Sequence, residues 1–472
     1  EPVDDSPILD LRIRKGVRRH HVKLLVAGPR PSSLDASAAL HVRYTPGEEA
    51  AFLTALAGAL YGGSPQHEGS DQVPELADLL RGGGEDVVIL WSHRLLRADG
   101  ASAAQSLLKI AAGLNLRGRP GAGLLGIPDG ANGRGLLEAG VAPGVGPGFT
   151  AASAGRGADG IAAGLADGEL TAVYLMQSDP LRSLPNRGLW ERALERASTV
   201  VAHAEFLTEG LREHATVVFP AESHAEQEGT VTHPDGRLQR LRPAIARQGR
   251  TRAQWSVLVD LAARIGLDLG VRSGPMATAQ LAAAIPFYAG LTLDEIGGRG
   301  VRWQEREQAS SWPNVVAAPA PIGAHRVDDP TPSDSVGASS NGRGALRLGT
   351  YRSVWAAPEV EVSPALHFLH PQQRLEISPA DAERLALRQG QRVDVALADV
   401  GSDGARGAEP VRATVSVRSA MTLGTVFLEE GLPDQSANAL TNGGGVVLVD
   451  VRQVGGPAPT AIAAGPAGSD AA

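Results

Sequence analysis

The sequence predicts a mostly parallel, doubly wound α/β sheet followed by a small β-barrel of the double-psi type. Three observations carry this. Over residues 1–316, short continuous apolar runs alternate with amphipathic helical stretches, the pattern of strands buried on both faces by helices. Residues 317–344 are then dominated by Pro, Gly, Ser, Asn and Asp and read as a mobile linker. Beyond it, over 345–454, the apolar period shortens to that of strands, which fits a mainly β domain.

The elements follow in order. Residues 22–28 form a buried strand that ends at Gly28-Pro29-Arg30, and 47–61 an Ala/Leu-rich helix. Strand 86–91 leads to a helix near 100–113, and strand 170–176 to a helix over 188–197. Strand 199–202, a helix near 205–213 and strand 216–219 complete the alternation. Residues 251–266 carry apolar side chains at spacings of three and four and stop at Gly266, a helix with a glycine end. In the second domain, 346–355, 374–377, 392–398, 411–417 and 425–428 are strands, and 379–387 is a short helix. Residues 402–409 form a loop insertion, and the Gly/Ala/Pro-rich tail, 455–472, is disordered.

Composition narrows the function. The chain has 472 residues, a net charge of −8 and a pI near 5.9, which argues against nucleic-acid binding. No apolar run approaches the ~20 residues that span a bilayer. The start, Glu1-Pro2-Val3, lacks Met and any leader pattern, so the chain reads as beginning inside a longer reading frame. There is no cysteine. A thiol nucleophile is therefore excluded, and an iron–sulfur cluster cannot be held in the usual way.

Several motifs have bland readings. Gly121, Gly123 and Gly126 spell G-x-G-x-x-G, but neither flank supplies the strand and helix that a dinucleotide fingerprint needs; the segment reads as a loop. His203, His214, His224 and His233 lack the spacing of a zinc site and read as polar loop histidines. Glu222 and Glu226 could face each other like a glycosidase pair, but nothing else points to sugar chemistry. Arg237, Arg240 and Arg242 gather near one turn, suited either to a diphosphate or carboxylate or to a solvated surface.

Ordered blocks along the chain resemble the molybdopterin oxidoreductase superfamily. Leu24 to Arg30 resembles its strand with a Pro-Arg loop. Asn132-Gly133-Arg134-Gly135, with Glu138-Ala139-Gly140 and Pro143, resembles its Asn-x-x-Gly loop. Tyr174 to Pro180 resembles the strand before its Asn-Pro loop, with Ser178-Asp179-Pro180 standing there in this chain. Val200 to His203 and Ala215 to Pro220 resemble later strands, and the stretch to Arg240 resembles the segment that wraps the cofactor cleft. Leu348 to Arg352, Ile377 to Ala382 and Ser436 to Thr441 resemble the dinucleotide-binding barrel.

Within the superfamily, Asn132 to Pro143 and Trp355 to Pro371 look most like the C-terminal part of the family of large peripheral-arm subunits of NADH-quinone oxidoreductase (complex I). That resemblance implies a structural region that supports electron transfer from NADH to quinone. The iron–sulfur clusters would sit in an N-terminal part outside this chain, and the partners would be other peripheral-arm subunits. It implies a cytoplasmic place on the inner face of the cell membrane, without insertion into it. The alternative is a fragment of a catalytic molybdenum subunit such as formate dehydrogenase. Any molybdopterin dinucleotide would lie between the two domains, against Pro180, His203, Gly349, Thr350, Tyr351, Arg352 and Asn438. No catalytic residue and no metal ligand is expected in this chain.

Overall fold

A computed structural model describes residues 1–62, 71–84, 86–97, 99–310, 345–398, 409–442 and 445–454. The expected linker, nearly all of the 402–409 insertion and the expected tail lie outside the described residues.

The chain is α/β, with parallel sheets ahead of a closed barrel. After an N-terminal helix, Pro7–His20, β1 (Leu25–Ala27) pairs in parallel with β2 (Leu40–Val42). β3 (Val88–Ser92) pairs in parallel with β4 (Gly123–Ile127). Helices Glu49–Leu60, Val73–Gly82 and Gly100–Gly113 belong to the same part of the fold. Phe52, Leu56, Val73, Leu107 and Ile110 form its core, with Val42 from β2. Asp99 starts the third of these helices by accepting the Ser102 amide at 3.1 Å, an N-cap bond.

β5 (Ala172–Met176), β6 (Thr199–Ala204) and β7 (Val217–Pro220) form a parallel trio with β6 in the centre. Leu165 and Trp190, from helices Ala158–Asp167 and Arg187–Arg196, pack with Leu175 and Val200. The parallel strands thus divide among three small sheets. β8 (Gly229–Thr232) and β9 (Arg237–Leu241) make an antiparallel hairpin, joined by β10 (Val301–Arg302).

The barrel has six strands: β11 (Leu346–Tyr351), β12 (Arg374–Ile377), β13 (Arg392–Leu397), β14 (Val411–Val417), β15 (Thr425–Glu429) and β16 (Leu448–Gln453). The order around it is β11-β15-β12-β14-β13-β16. The β11–β15 and β12–β14 pairs are parallel and the rest antiparallel. Alternating Val393, Val395, Val411, Ala413 and Val415 fill its interior, as period-two side-chain direction requires.

Two expectations need correction. The G-x-G-x-x-G segment is not a loop: its second half is β4, paired to β3. Gly126 is needed there because a Cβ would stand 2.8 Å from the Trp91 indole. All three glycines therefore precede or lie within a strand, and the strand-to-helix turn of a dinucleotide fingerprint is not formed. His203 is not in a polar loop either; it lies in the central strand β6 and is fully buried.

Candidate functional site

The carboxyl ends of β1, β3 and β5 all deliver arginines toward the barrel. In parallel α/β architectures this edge is where ligands bind. Here it meets carboxylates of the second domain. Arg30, just past β1, makes a two-pronged contact with Glu376 of β12, Nε to Oε2 at 2.6 Å and Nη2 to Oε1 at 2.8 Å. Arg418 donates to the same carboxylate at 2.7 Å. Burial alone would raise the pKa of Glu376, but the two guanidiniums outweigh it and hold the group below its ordinary value.

Glu430, just past β15, sits in a similar position. It is buried, and it accepts from Arg94 at 3.0 Å, from Arg97 at 3.2 Å and from the Thr350 hydroxyl. Burial pushes its pKa up, yet Arg94, Arg97 and Thr350 drive it down to about 2. A third pair, Arg182 to Glu361 at 2.8 Å, joins the loop after β5 to the barrel side. Arg182 is almost fully buried.

The expected cleft residues fall on this seam, with one exception. Pro180 begins a short helix, Pro180–Ser183, capped by Asp179, whose carboxylate accepts the Leu181 amide at 3.0 Å and the Thr208 hydroxyl. The carbonyls that end this turn receive the barrel. Ser183 O accepts from Arg352 at 3.4 Å, and Leu184 O from Asn438 Nδ2 at 2.7 Å. Asn438 Oδ1 in turn accepts the Gly431 amide at 3.0 Å and the Ser436 hydroxyl. Gly349 lies flat against Phe427, where a Cβ would approach the ring to 2.2 Å. The Tyr351 ring carries the Arg30 guanidinium 3.9 Å above its centre, a cation–π contact.

His203 stands behind the seam. Its ring is flanked by Tyr174, whose hydroxyl is 3.1 Å from Nδ1, and by Phe219. Its Nε2 has no hydrogen-bond partner. Burial lowers its pKa, partly opposed by Glu222, so the neutral ring is favoured. Glu222 and Glu226 are not an acid/base pair: Glu222 receives Arg247 and the Gln254 amide, and Glu226 receives the Ser223 and Gln248 amides. Both tie down the 247–254 segment. Among the described residues no cluster of three or more His, Asp or Glu could hold a metal.

Glu138 anchors the Asn132 loop. It is buried, and it accepts from Arg134 at 2.8 Å, from the Trp303 indole at 3.0 Å and from the Tyr288 hydroxyl. Gly135 is required beside it, since a Cβ would stand 2.2 Å from Asn132 Oδ1. A structural knot therefore accounts for this motif.

Residues 1–264 match the model of the molybdopterin oxidoreductase family. The chain belongs to that family. Residues 359–446 match the molydopterin dinucleotide binding domain. Over 94% of its length the chain is 26% identical to the NADPH-Fe(3+) oxidoreductase subunit alpha of Geobacter sulfurreducens, covering 54% of that protein. Over 93% it is 27% identical to a subunit of NADH-quinone oxidoreductase from Rhizobium meliloti, covering 52% of it. The chain thus spans about half the length of these curated relatives, both of which are subunits of oxidoreductases. The fold matches that of acetylene hydratase from Pelobacter acetylenicus with a TM-score of 0.61, at 12% identity, over 95% of this chain and 76% of that one.

The family implies a pterin dinucleotide, and the residues on the seam do not fit one as they stand. A dinucleotide brings a diphosphate that needs cations and donors. Five of the arginines here are already engaged by Glu376, Glu430 and Glu361, and Arg352 donates to the Ser183 carbonyl. Thr350 and Asn438 spend their polar atoms on the protein itself. An approaching diphosphate would meet a buried carboxylate, Glu430, at the centre.

Sequence reasoning missed Glu376, Glu430, Arg94 and Arg97 as seam residues. The only readable signal was the Glu429-Glu430-Gly431 run directly after an apolar strand. Asn438→Ala, which removes bonds on both sides of the seam, is expected to cost about 1 to 2 kcal/mol, measurable as a lower urea midpoint.

Proposed function

We propose that this region is the structural, assembly-supporting part of a peripheral-arm subunit of an NADH:quinone oxidoreductase. Electrons would pass through clusters held outside this chain, and the partners would be the other peripheral-arm subunits at the inner face of the cell membrane. The observation that supports this reading is the internally paired seam. Six of the seven expected cleft residues lie along a joint at which Glu376, Glu430 and Glu361 are each paired with arginine and Asn438 bonds to both sides. Such a joint stabilises a shape. The test uses the complete subunit in its complex, with Asn438→Ala and Arg352→Ala. NADH-dependent quinone reduction should remain within about twofold of wild type, because the surface carries no chemistry. A large loss with assembly intact would overturn the reading.

A second reading, a fragment of a molybdenum enzyme such as formate dehydrogenase, is favoured by two buried polar atoms without partners, His203 Nε2 and Glu429 Oε1. It expects molybdenum or tungsten at one per full-length protein by elemental analysis. The structural reading expects far less than stoichiometric metal.

A further inference from the structure

The helix Pro7–His20 presents two unlike faces. Asp10 is buried and Ile13 and Val17 are half-buried against the body of the protein. The other face carries Ile8, Leu11, Arg12, Lys15, Arg18 and Arg19 at spacings of three and four, all exposed, and so forms one stripe. Ile8 is 69% and Leu11 61% exposed. Arg14 is engaged by Asp10 at 2.7 Å, but Arg12, Lys15, Arg18 and Arg19 have no anionic partner among the described residues. No acidic residue occurs between Asp10 and Asp35. In a chain of net charge −8, this is a concentrated positive stripe with two bare apolar side chains inside it.

We infer that this stripe, Ile8 to Arg19, is a docking face for an acidic surface on another subunit. The inference rests on the reading of the chain as part of a multi-subunit oxidoreductase. Charge complementarity selects the partner's sign, and the apolar residues among the cations call for a partner with matching apolar spots. A lipid surface fits less well. A helix that lies in a membrane needs a broad apolar sector to insert, and here Ile13 and Val17 are turned into the protein. A nucleic acid fits less well again, since the stripe has no aromatic side chain on which bases could stack.

The chain contains only three lysines, Lys15, Lys23 and Lys109, which gives a selective test. A water-soluble carbodiimide joins a lysine amine to a carboxylate only when the two are in contact. Applied to the native complex at low ionic strength, it should link Lys15 or Lys23 to Asp or Glu side chains of a stoichiometric subunit. Those links should vanish in 0.5 M NaCl, since salt screens exposed charges. Arg12→Glu, Arg18→Glu and Arg19→Glu together should reduce retention of that subunit more than about tenfold. The matching Arg→Lys variant should retain it, which separates loss of charge from loss of fold. An intact complex whose Lys15 and Lys23 link only to this chain, or to nothing, overturns the docking face and leaves the multi-subunit reading standing. A full-length protein that purifies with no other subunit overturns both. Binding to anionic phosphatidylglycerol vesicles or duplex DNA, abolished by the same reversal and with no subunit linked, also overturns it.

Discussion

Replacing Glu430 with alanine is expected to lower stability by about 3 kcal/mol at pH 7. Removing one partner of a buried ion pair typically costs about 3–5 kcal/mol, because the opposite charge is left uncompensated. Arg94, at 23% exposure, would lose its carboxylate, while Arg97, at 44%, would keep only Asp129 at 3.7 Å. Water reaches Arg97, so the lower end applies. The loss should appear as a reduced urea midpoint and as faster amide exchange in β11 and around Arg94. The pH dependence has a definite sign. Glu430 titrates at about 2 in the folded protein, below its ordinary 4.5. Its contribution is therefore fully present above pH 4.5 and is lost as pH falls toward 2. The gap between wild type and Glu430→Ala should close over that window. Equal midpoints at pH 7 would show that the seam does not depend on this carboxylate.

Glu429→Gln is expected to act in the opposite direction. The neighbouring carboxylate is buried, one of its oxygens lacks a partner, and burial raises its pKa to about 7, partly offset by the Ser353 amide. The folded state holds this proton more tightly than the unfolded state does. The penalty for ionising it is absent below pH 4.5 and grows as pH rises to about 7. Glutamine has the shape of the protonated acid and escapes the penalty. At pH 8 the variant should be more stable than wild type by about 3 kcal/mol, the free energy of a shift this large. At pH 4 the two should unfold at the same denaturant concentration. A variant no more stable at pH 8 would mean that Glu429 is hydrated in solution. Two adjacent glutamates thus have opposite effects, because successive side chains at a strand end meet different surroundings.

Much of the fold was legible where the local pattern and the final environment agree. β12 and β14 begin and end where alternation places them, because one face of each meets the barrel core. β4 was illegible: glycine disfavours strands, and only pairing with β3 and the Trp91 ring over Gly126 makes it one. β16 was also missed, since it closes the barrel between β11 and β13 and depends on both neighbours. The seam was half legible. Arg30 stood out at the end of its strand, but Glu376 lies 346 residues further on. No local pattern links the two. His203 read as a loop histidine just past the expected strand end, whereas pairing with β5 and β7 on either side extends the strand through it.

The seam also imposes an order on biosynthesis. Arg94 leaves the ribosome 336 residues before Glu430, roughly twenty seconds to a minute at ~5–20 residues per second. Through that interval the first domain has a row of unmatched guanidiniums at its rim, open to any polyanion nearby. Messages truncated before the Glu430 codon would never bring the matching carboxylate.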